Sequence, residues 1–541
     1  MAWRSESDGR GLGCPSSRSA ALYLALAALV TAGFAVAGLI VRPNMYSDSG
    51  WGFLGWYAQA PTLPFNHAMA LDLSDIAHGV DTFMATWTPG QHMLPGLLER
   101  LGLDLGQAIV VVVTIFSALG LGGWFVLYRA LGFPSSSAAL TVLIVACSRF
   151  YGQPFTNYNG GEVLLFGTAP WFLLLVWSLR SLGWFAVIPF LAGTAVLVFM
   201  KLTGIVVCAA AVGAAAICGD EAWRHRETIR KLVVAGVTIG LMAGIFYYTW
   251  YVRGVTAASI SSAVHQDGAM FYIAFALVSL WSASFSLLDL ASYLLLNPGR
   301  PVLETIDLVV YLLLPLALAA FAVTWVRLYR GHGEYLRFAV AIAGAMVAFL
   351  LLMWLSGKSI SVEERHLRIP SLLLLGGMVH AFVSGRRPAL LLPFAVVAIL
   401  SSLYGLASFV ARVEANTRYA LGDRGFRHMV ASPEAIAFIR KIDVPGPNAQ
   451  KTLLFMPSPE MALEVRQVRS WSNHADFEPL EHLKAATYRG HVDRLYVFLQ
   501  KRLVADGKAD AVLKSFVDYP IDGWTEVSLG DIVCFYQIRK P

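Results

Sequence analysis

The feature that most constrains this chain is where its charges lie. Residues 1–410 carry 42 Asp, Glu, Lys and Arg, about 10%, whereas residues 411–541 carry 34, about 26%. A soluble globular domain is roughly 25% charged. The first 410 residues therefore cannot build an ordinary water-facing surface, and the last 131 can. With 57% hydrophobic residues and a mean hydropathy of +0.60, the composition excludes a wholly soluble enzyme, a disordered chain and a collagen-like fibre. The expected fold class is a polytopic α-helical membrane protein with a small C-terminal α/β domain.

A helix needs about 20 apolar residues to cross a bilayer. The first such run, 20–41, exceeds the roughly 7–15-residue core of a signal peptide and reads as a retained anchor. Further runs lie near 106–128, 138–150, 163–180, 183–200, 203–218, 232–252, 306–326, 338–356, 369–385 and 388–410, which makes eleven. Lys and Arg concentrate on cytoplasmic loops. Arg4, Arg10, Arg18, Arg129, Arg180, the group Arg224, Arg226, Arg230 and Lys231, the pair Arg327 and Arg330, and Arg386–Arg387 share one side if the N-terminus is cytoplasmic. This also requires that 271–295, apolar but interrupted by Ser and Asp289, does not cross. The expected organisation is a cytoplasmic tail (1–19), a transmembrane domain (20–410) in a bacterial plasma (inner) membrane, and an extracytoplasmic domain (411–541). Outside lie 42–105, 151–162, 253–305, a turn at Lys201, and 357–368. The net charge of +6 is then read as basic loops facing anionic lipid, with no nucleic-acid partner. Five cysteines form neither a pairing framework nor a CxxC pattern.

The tail alternates periods. "SPEAIAFIRKI" (432–442) opens on a Ser N-cap with helical spacing, "KTLLFMP" (451–457) reads as a strand and "SPEMALEV" as a helix. "RLYVFLQ" and "DIVCFYQI" read as strands.

No GxxxxGK[ST], HExxH or GxSxG motif occurs. Energy must then come from an activated substrate or a gradient. Four features carry candidate chemistry. "MYSDSGWGFLGWYAQ" (45–59) follows the first span, with Asp48 flanked by Tyr46 and Trp51. A carboxylate desolvated by such rings can take a proton from an acceptor hydroxyl; the plain alternative is a helix cap. "TWTPGQHMLPGLLERLG" (86–102) closes the same loop, and its Trp87, Gln91 and His92 are candidates to line a cavity, against an interfacial Trp belt. Lys201 sits between two apolar stretches, as a partner for a lipid phosphate or a snorkelling rim residue. "GKSISVEERHLRIPSLLLL" (357–375) brings Arg365, His366 and Arg368 to an outer boundary. Arg forks hold phosphate oxygens well, and the alternative is a cluster neutralised by Glu363 and Glu364.

Taken in order, these motifs resemble the GT-C superfamily of polyprenyl-phosphate-sugar-dependent glycosyltransferases, with protein O-mannosyltransferases and the lipid A aminoarabinose transferase as relatives. The acidic motif of that superfamily's first loop matches at Asp48, with Ser49 in place of Glu. Its Pro-containing segment resembles "TWTPGQHMLPGLL", its K-x-x-G turn resembles Lys201–Gly204, and its late R-Y-x-x-P motif is similar to "RHLRIPSLLLL" with His366 for Tyr. The resemblance implies an inverting hexosyl or pentosyl transfer from a polyprenyl-phosphate sugar to a lipid, glycan or protein acceptor of the cell envelope, in contact with membrane lipids. Asp48 would be the base, and Lys201, Arg365 and Arg368 would hold the donor phosphate. Trp51, Asp81, Trp87, Gln91, His92, Tyr158, Glu162 and His366 are acceptor or sugar contacts. Asp72, Asp75, Asp81 and Glu162 are fallback acids. No cofactor or metal is expected, and Asp72-x-x-Asp75 is a thin basis for a divalent site. Two other classes compete: a GT-C scaffold without chemistry, and a lipid or glycan transporter, which calls for repeats and mid-membrane charges that the chain lacks.

Overall fold

The computed structural model describes residues 17–84, 87–218, 225–252, 268–295, 306–356, 363–384, 388–472 and 487–539. Arg4, Arg10, Arg224, Arg386 and Arg387 of the orientation argument lie outside them, as do 357–362 and much of 253–305. A helix forms at every expected apolar run. In chain order the helices are α1 (Ser17–Val41), α2 (Ser47–Tyr57), α3 (Gly90–Arg100), α4 (Leu105–Ala130), α5 (Ser135–Ala146), α6 (Arg149–Gly152), α7 (Gly161–Ser178), α8 (Val187–Met200) and α9 (Gly204–Ile217). There follow α10 (His225–Phe246), α11 (Ala269–Ser282), α12 (Leu287–Leu295), α13 (Ile306–Leu328), α14 (Gly333–Leu355), α15 (Arg368–Val383) and α16 (Pro388–Arg418).

Eight helical stretches among the described residues, rather than eleven, are long and apolar enough to span a bilayer. The remaining three expected spans form shorter helices, Ser135–Ala146, Trp184–Met200 and Gly204–Ile217. At 1.5 Å per residue, the 12 residues of α5 reach only about 18 Å. The chain is a multi-pass membrane protein. Segment 271–295 is two helices, α11 and α12, broken between Ser282 and Leu287.

Burial orders the helices. The spans of α7 and α15 are 72% and 78% buried, while those of α1, α10 and α13 are 22% buried. The first two are therefore the hub and the others the rim. Close approach at the hub needs glycine: a Cβ on Gly120 of α4 would strike Phe166 of α7, and one on Gly376 of α15 would strike Tyr128. The rim turns Leu22, Leu29 and Ile40 of α1 and Leu312 and Leu316 of α13 outward, as a hydrocarbon surround permits.

The 42–105 segment holds α2 and α3, and between them an antiparallel hairpin of β2 (His67–Leu71) and β3 (Gly79–Phe83). A small sheet ties this segment to the rest. In it β1 (Asn44–Met45) runs parallel to β4 (Asn157–Tyr158) and to β6 (Arg427–His428), which pairs with β5 (Ala420–Leu421). Asn416, near the end of α16, locks the junction by donating to Thr156 O at 2.8 Å and accepting from Asn44 at 3.0 Å.

The tail forms α17 (Pro433–Ile442), β7 (Thr452–Met456), α18 (Pro459–Ala462), β8 (Arg469–Ser472), β9 (Arg494–Gln500), β10 (Thr525–Leu529) and β11 (Ile532–Ile538). Ser432 caps α17, its hydroxyl accepting from Ala435 N at 3.1 Å. The five strands form one mixed sheet in the order β10-β11-β9-β7-β8, parallel at β9-β7-β8. Arg469 fastens it to the first segment by donating to the carbonyls of Ile76, Ala77 and His78 at 2.7–2.9 Å.

Candidate functional site

The parallel pairing of β1 and β4 decides the site. Met45 lies opposite Tyr158. The chain then enters α2 on one side and α7 on the other, which carries Asp48 and Glu162 to neighbouring places. Gly160 makes the second turn possible. Its φ is +60°, and a Cβ there would strike the Gln91 side chain. Gly161 lets α7 begin against Met200 O and the Lys201 side chain.

Lys201 follows α8 directly. Thr88 fixes that corner by donating its hydroxyl to Met200 O at 3.0 Å. Lys201 makes an ion pair with Glu162, whose side chain is only 6% exposed. Arg365 enters from the turn before α15. Its Nε lies 3.8 Å from Glu162 Oε1 and 2.7 Å from Glu363 Oε2, and its Nη1 lies 3.9 Å from Asp48 Oδ2. That turn is anchored by Glu364, which accepts from the Ser282 hydroxyl and from Leu288 N at 3.2 Å, at the α11–α12 break. Arg368 lies 4.6 Å above the Phe150 ring and lines a small void with Glu162. Acid and base from α2, α7, the α8 end and the α15 entrance thus meet in one cluster. Buried charges are tolerated only when paired in this way.

The sequence candidates sort by burial. Asp48 is 52% exposed, which corrects the expectation that aromatic rings would desolvate it; its neighbour is the Arg365 guanidinium. Glu162 is a buried ion-pair partner of two cations rather than a free fallback acid. Trp51, three residues after Asp48 on α2, lies nearly parallel to Trp87, ring centres 6.0 Å apart. Gln91, His92 and Tyr158 were expected to face a ligand, and all three are packed inside. Tyr158 is fully buried and donates to Gln91 O at 2.6 Å, and Gln91 Oε1 accepts from Gly161 N at 3.3 Å. His92 is 2% exposed beneath α2, and burial pushes its pKa down to about 3. These three shape the wall. His366 sits in the same turn as Arg365, its amide donating to Glu363 O at 3.2 Å. Asp72, Asp75 and Asp81 stand elsewhere. Asp81 pairs with His67 at 2.7 Å on the hairpin, and the other two hold Ser74 and His78 within their own loop. Among the described residues no group of three His, Cys, Asp or Glu converges as metal ligands.

Sequence reasoning missed two things. One is that Tyr46, the residue before α2, lies 5.9 Å from Arg365; burial and Glu363 raise its pKa. The other is an apolar cavity of about 370 Å³ between the first segment and α8–α10. Its walls include Phe65, Phe83, Pro89, Val198, Phe199, Met242 and Ile245. In the chain, Pro89 follows Thr88 and Phe199 stands two residues before Lys201. No sequence pattern announces a cavity assembled from four segments.

No family model and no curated protein matches the chain. Solved structures do. ArnT from Cupriavidus metallidurans in the apo state aligns with a TM-score of 0.51 at 14% identity, covering 95% of this chain and 97% of that one. The same protein bound to undecaprenyl phosphate aligns with a TM-score of 0.49 at 14% identity, covering 96% and 98%. The apo likeness spans the membrane helices and the tail together, so it describes the fold of the whole chain.

Proposed function

With the GT-C fold as premise, we propose that this chain is a membrane glycosyltransferase that moves a sugar from a polyprenyl-phosphate donor to a cell-envelope acceptor. The observation that carries the reading is the meeting of Asp48, Glu162, Lys201 and Arg365, drawn from four separate elements, in one cluster. A scaffold without chemistry has no need of buried charges so gathered. The apolar cavity suits an isoprenoid tail, and the cluster suits the phosphate at its head.

In this reading the donor phosphate sits against Lys201, Arg365 and Arg368. The Arg365–Asp48 contact, at 3.9 Å the longest in the cluster, is the one an arriving phosphate replaces. Asp48 is then free to accept the acceptor hydroxyl proton. The acceptor oxygen forms a bond to the anomeric carbon, and the bond from that carbon to the phosphate oxygen breaks. The electron pair leaves with polyprenyl monophosphate, whose growing charge the three cations stabilise. A single displacement inverts the anomeric centre. Glu162 keeps Lys201 and Arg365 in place when the site is empty. The reaction face is the outer one, where the tail domain also lies.

The test is transfer by the purified full chain from a panel of polyprenyl-phosphate sugars, read by mass spectrometry. It is paired with comparison of envelope glycans and lipids in a deletion strain and its parent. No product in the first and no difference in the second would remove the activity. A folded Asp48→Asn variant with an undiminished rate would remove Asp48 as base.

A further inference from the structure

A second pocket, of about 220 Å³, lies at the C-terminal ends of α2 and α3, lined by Trp56, Tyr57, Gln59, Glu99 and Arg100. It falls below the ~300 Å³ where pockets for drug-sized ligands begin and has the scale of one sugar ring. Its walls join two aromatic side chains to an amide, a carboxylate and a guanidinium.

These groups are held unequally. Glu99 is immobilised on both oxygens, since Tyr57 OH donates to Oε2 at 2.5 Å and Arg424 Nη1 to Oε1 at 2.9 Å. Arg424 also lies 3.7 Å over the Tyr57 ring and donates to Leu463 O. The tail domain thus braces the pocket from behind and neutralises its one acid. Arg100 is left over. It is exposed, lies 4.4 Å over the Trp56 ring, and makes no ion pair among the described residues. The Gln59 amide is unengaged there too. Trp56 is only 6% exposed and the Tyr57 ring face is covered by Arg424, so the pocket offers one uncompensated positive charge, an amide and a narrow apolar rim, and it lies open.

Its place matters as much. Asp48 and Trp56 stand eight residues apart on α2, which is about 12 Å along the helix axis. One rigid helix therefore carries the proposed base at one end and this pocket at the other, farther apart than one sugar ring reaches.

We propose that this pocket is an acceptor subsite for a saccharide unit bearing an anionic group, remote from the unit that receives the transferred sugar. The acceptor is then an acidic oligosaccharide of more than one unit. Arg100 binds its carboxylate or phosphate and Gln59 a hydroxyl, while the narrow rim of Trp56 and Tyr57 limits the pocket to one ring. This rests on the glycosyltransferase reading for its meaning, and binding at the pocket is measurable without transfer.

The experiment is equilibrium binding by calorimetry to the detergent-solubilised full chain. The probes are a glucuronate-containing disaccharide, glucose 6-phosphate, a neutral glucosyl disaccharide and inorganic phosphate. Binding of the uronate or the phosphosugar at least tenfold tighter than both the neutral sugar and inorganic phosphate is expected, and which acid wins names the anionic group. Arg100→Gln, an exposed substitution, should lower that affinity about tenfold and leave neutral-sugar binding unchanged. The proposal is overturned if no acidic probe binds saturably, if inorganic phosphate alone binds as tightly, or if Arg100→Gln changes nothing. Those failures would leave transfer from polyprenyl-phosphate sugars untouched, whereas loss of transfer with intact binding would strike the enzymatic reading alone.

Discussion

Breaking the Glu162–Lys201 pair tests the physical core of the site. In Lys201→Met, the Glu162 carboxylate, 6% exposed, keeps Arg365, whose Nε is 3.8 Å away, and the nearby Arg368. Removing one member of a buried pair costs about 3–5 kcal/mol, because the other charge stays buried. At an effective dielectric near 20, the remaining Arg365 contact returns at most about 4 kcal/mol, so the loss should fall at the lower end, about 3 kcal/mol. Glu162→Gln should cost a similar amount by leaving Lys201 beside Arg365 without its carboxylate. The double variant removes both charges and should cost less than the sum of the singles by about 1–3 kcal/mol. Denaturant unfolding in detergent, followed by two probes, measures all four corners of the cycle. Strict additivity would mean that Glu162 and Lys201 do not depend on each other, and the account of the cluster would fall.

Asp48→Asn should fold as the parent does, since Asp48 is half-exposed, and should lower transfer by about 10²–10⁴-fold, measured on purified protein. Gly160→Ala should destabilise by about 1–3 kcal/mol, since φ is +60° there and the Gln91 side chain is in the way; thermal unfolding reads this. His92 has a folded pKa near 3 against an ordinary 6.5, so the folded state resists the proton that the unfolded chain accepts. Stability should be full above pH ~6.5 and fall by up to ~1.4 kcal/mol per unit from there to about pH 3. His92→Gln should flatten that slope in unfolding measured across the range. Arg469→Ala should loosen the loop at 76–78 without detaching it, since Ile76 N still donates to Arg489 O at 2.8 Å, seen as modestly faster hydrogen exchange there with little change at α7 or α15.

Much of the fold was legible because lipid is a simple solvent. Long uncharged runs can only be buried or lipid-facing helices, and Ser432 or the apolar runs of β7, β9 and β11 declare themselves locally. The hairpin at 67–83 was not legible: Met69 and Val80 are exposed, so its strands lack the alternation a half-buried sheet imposes. Candidate site residues were legible as types, since an acid, a Lys and two Arg stood out against an apolar background. Their roles were not. Whether Glu162 is a base or a partner depends on what lies beside it, and Lys201 is 39 residues away in sequence. The same holds for Gln91, His92 and Tyr158, whose polar atoms point inward because the β1–β4 pairing closes over them.

The uneven charge by itself determined a membrane part, a water-facing tail and a short set of charged residues with no business in lipid, because burying an unpaired charge costs more than a chain can recover elsewhere. Only the tertiary structure decided which of those charges meet. Pairing between short strands at 44–45 and 157–158 and the close approach allowed by Gly161 brought residues from distant segments together, and contact at 3–4 Å, unlike hydropathy, is not a property of any one stretch of sequence.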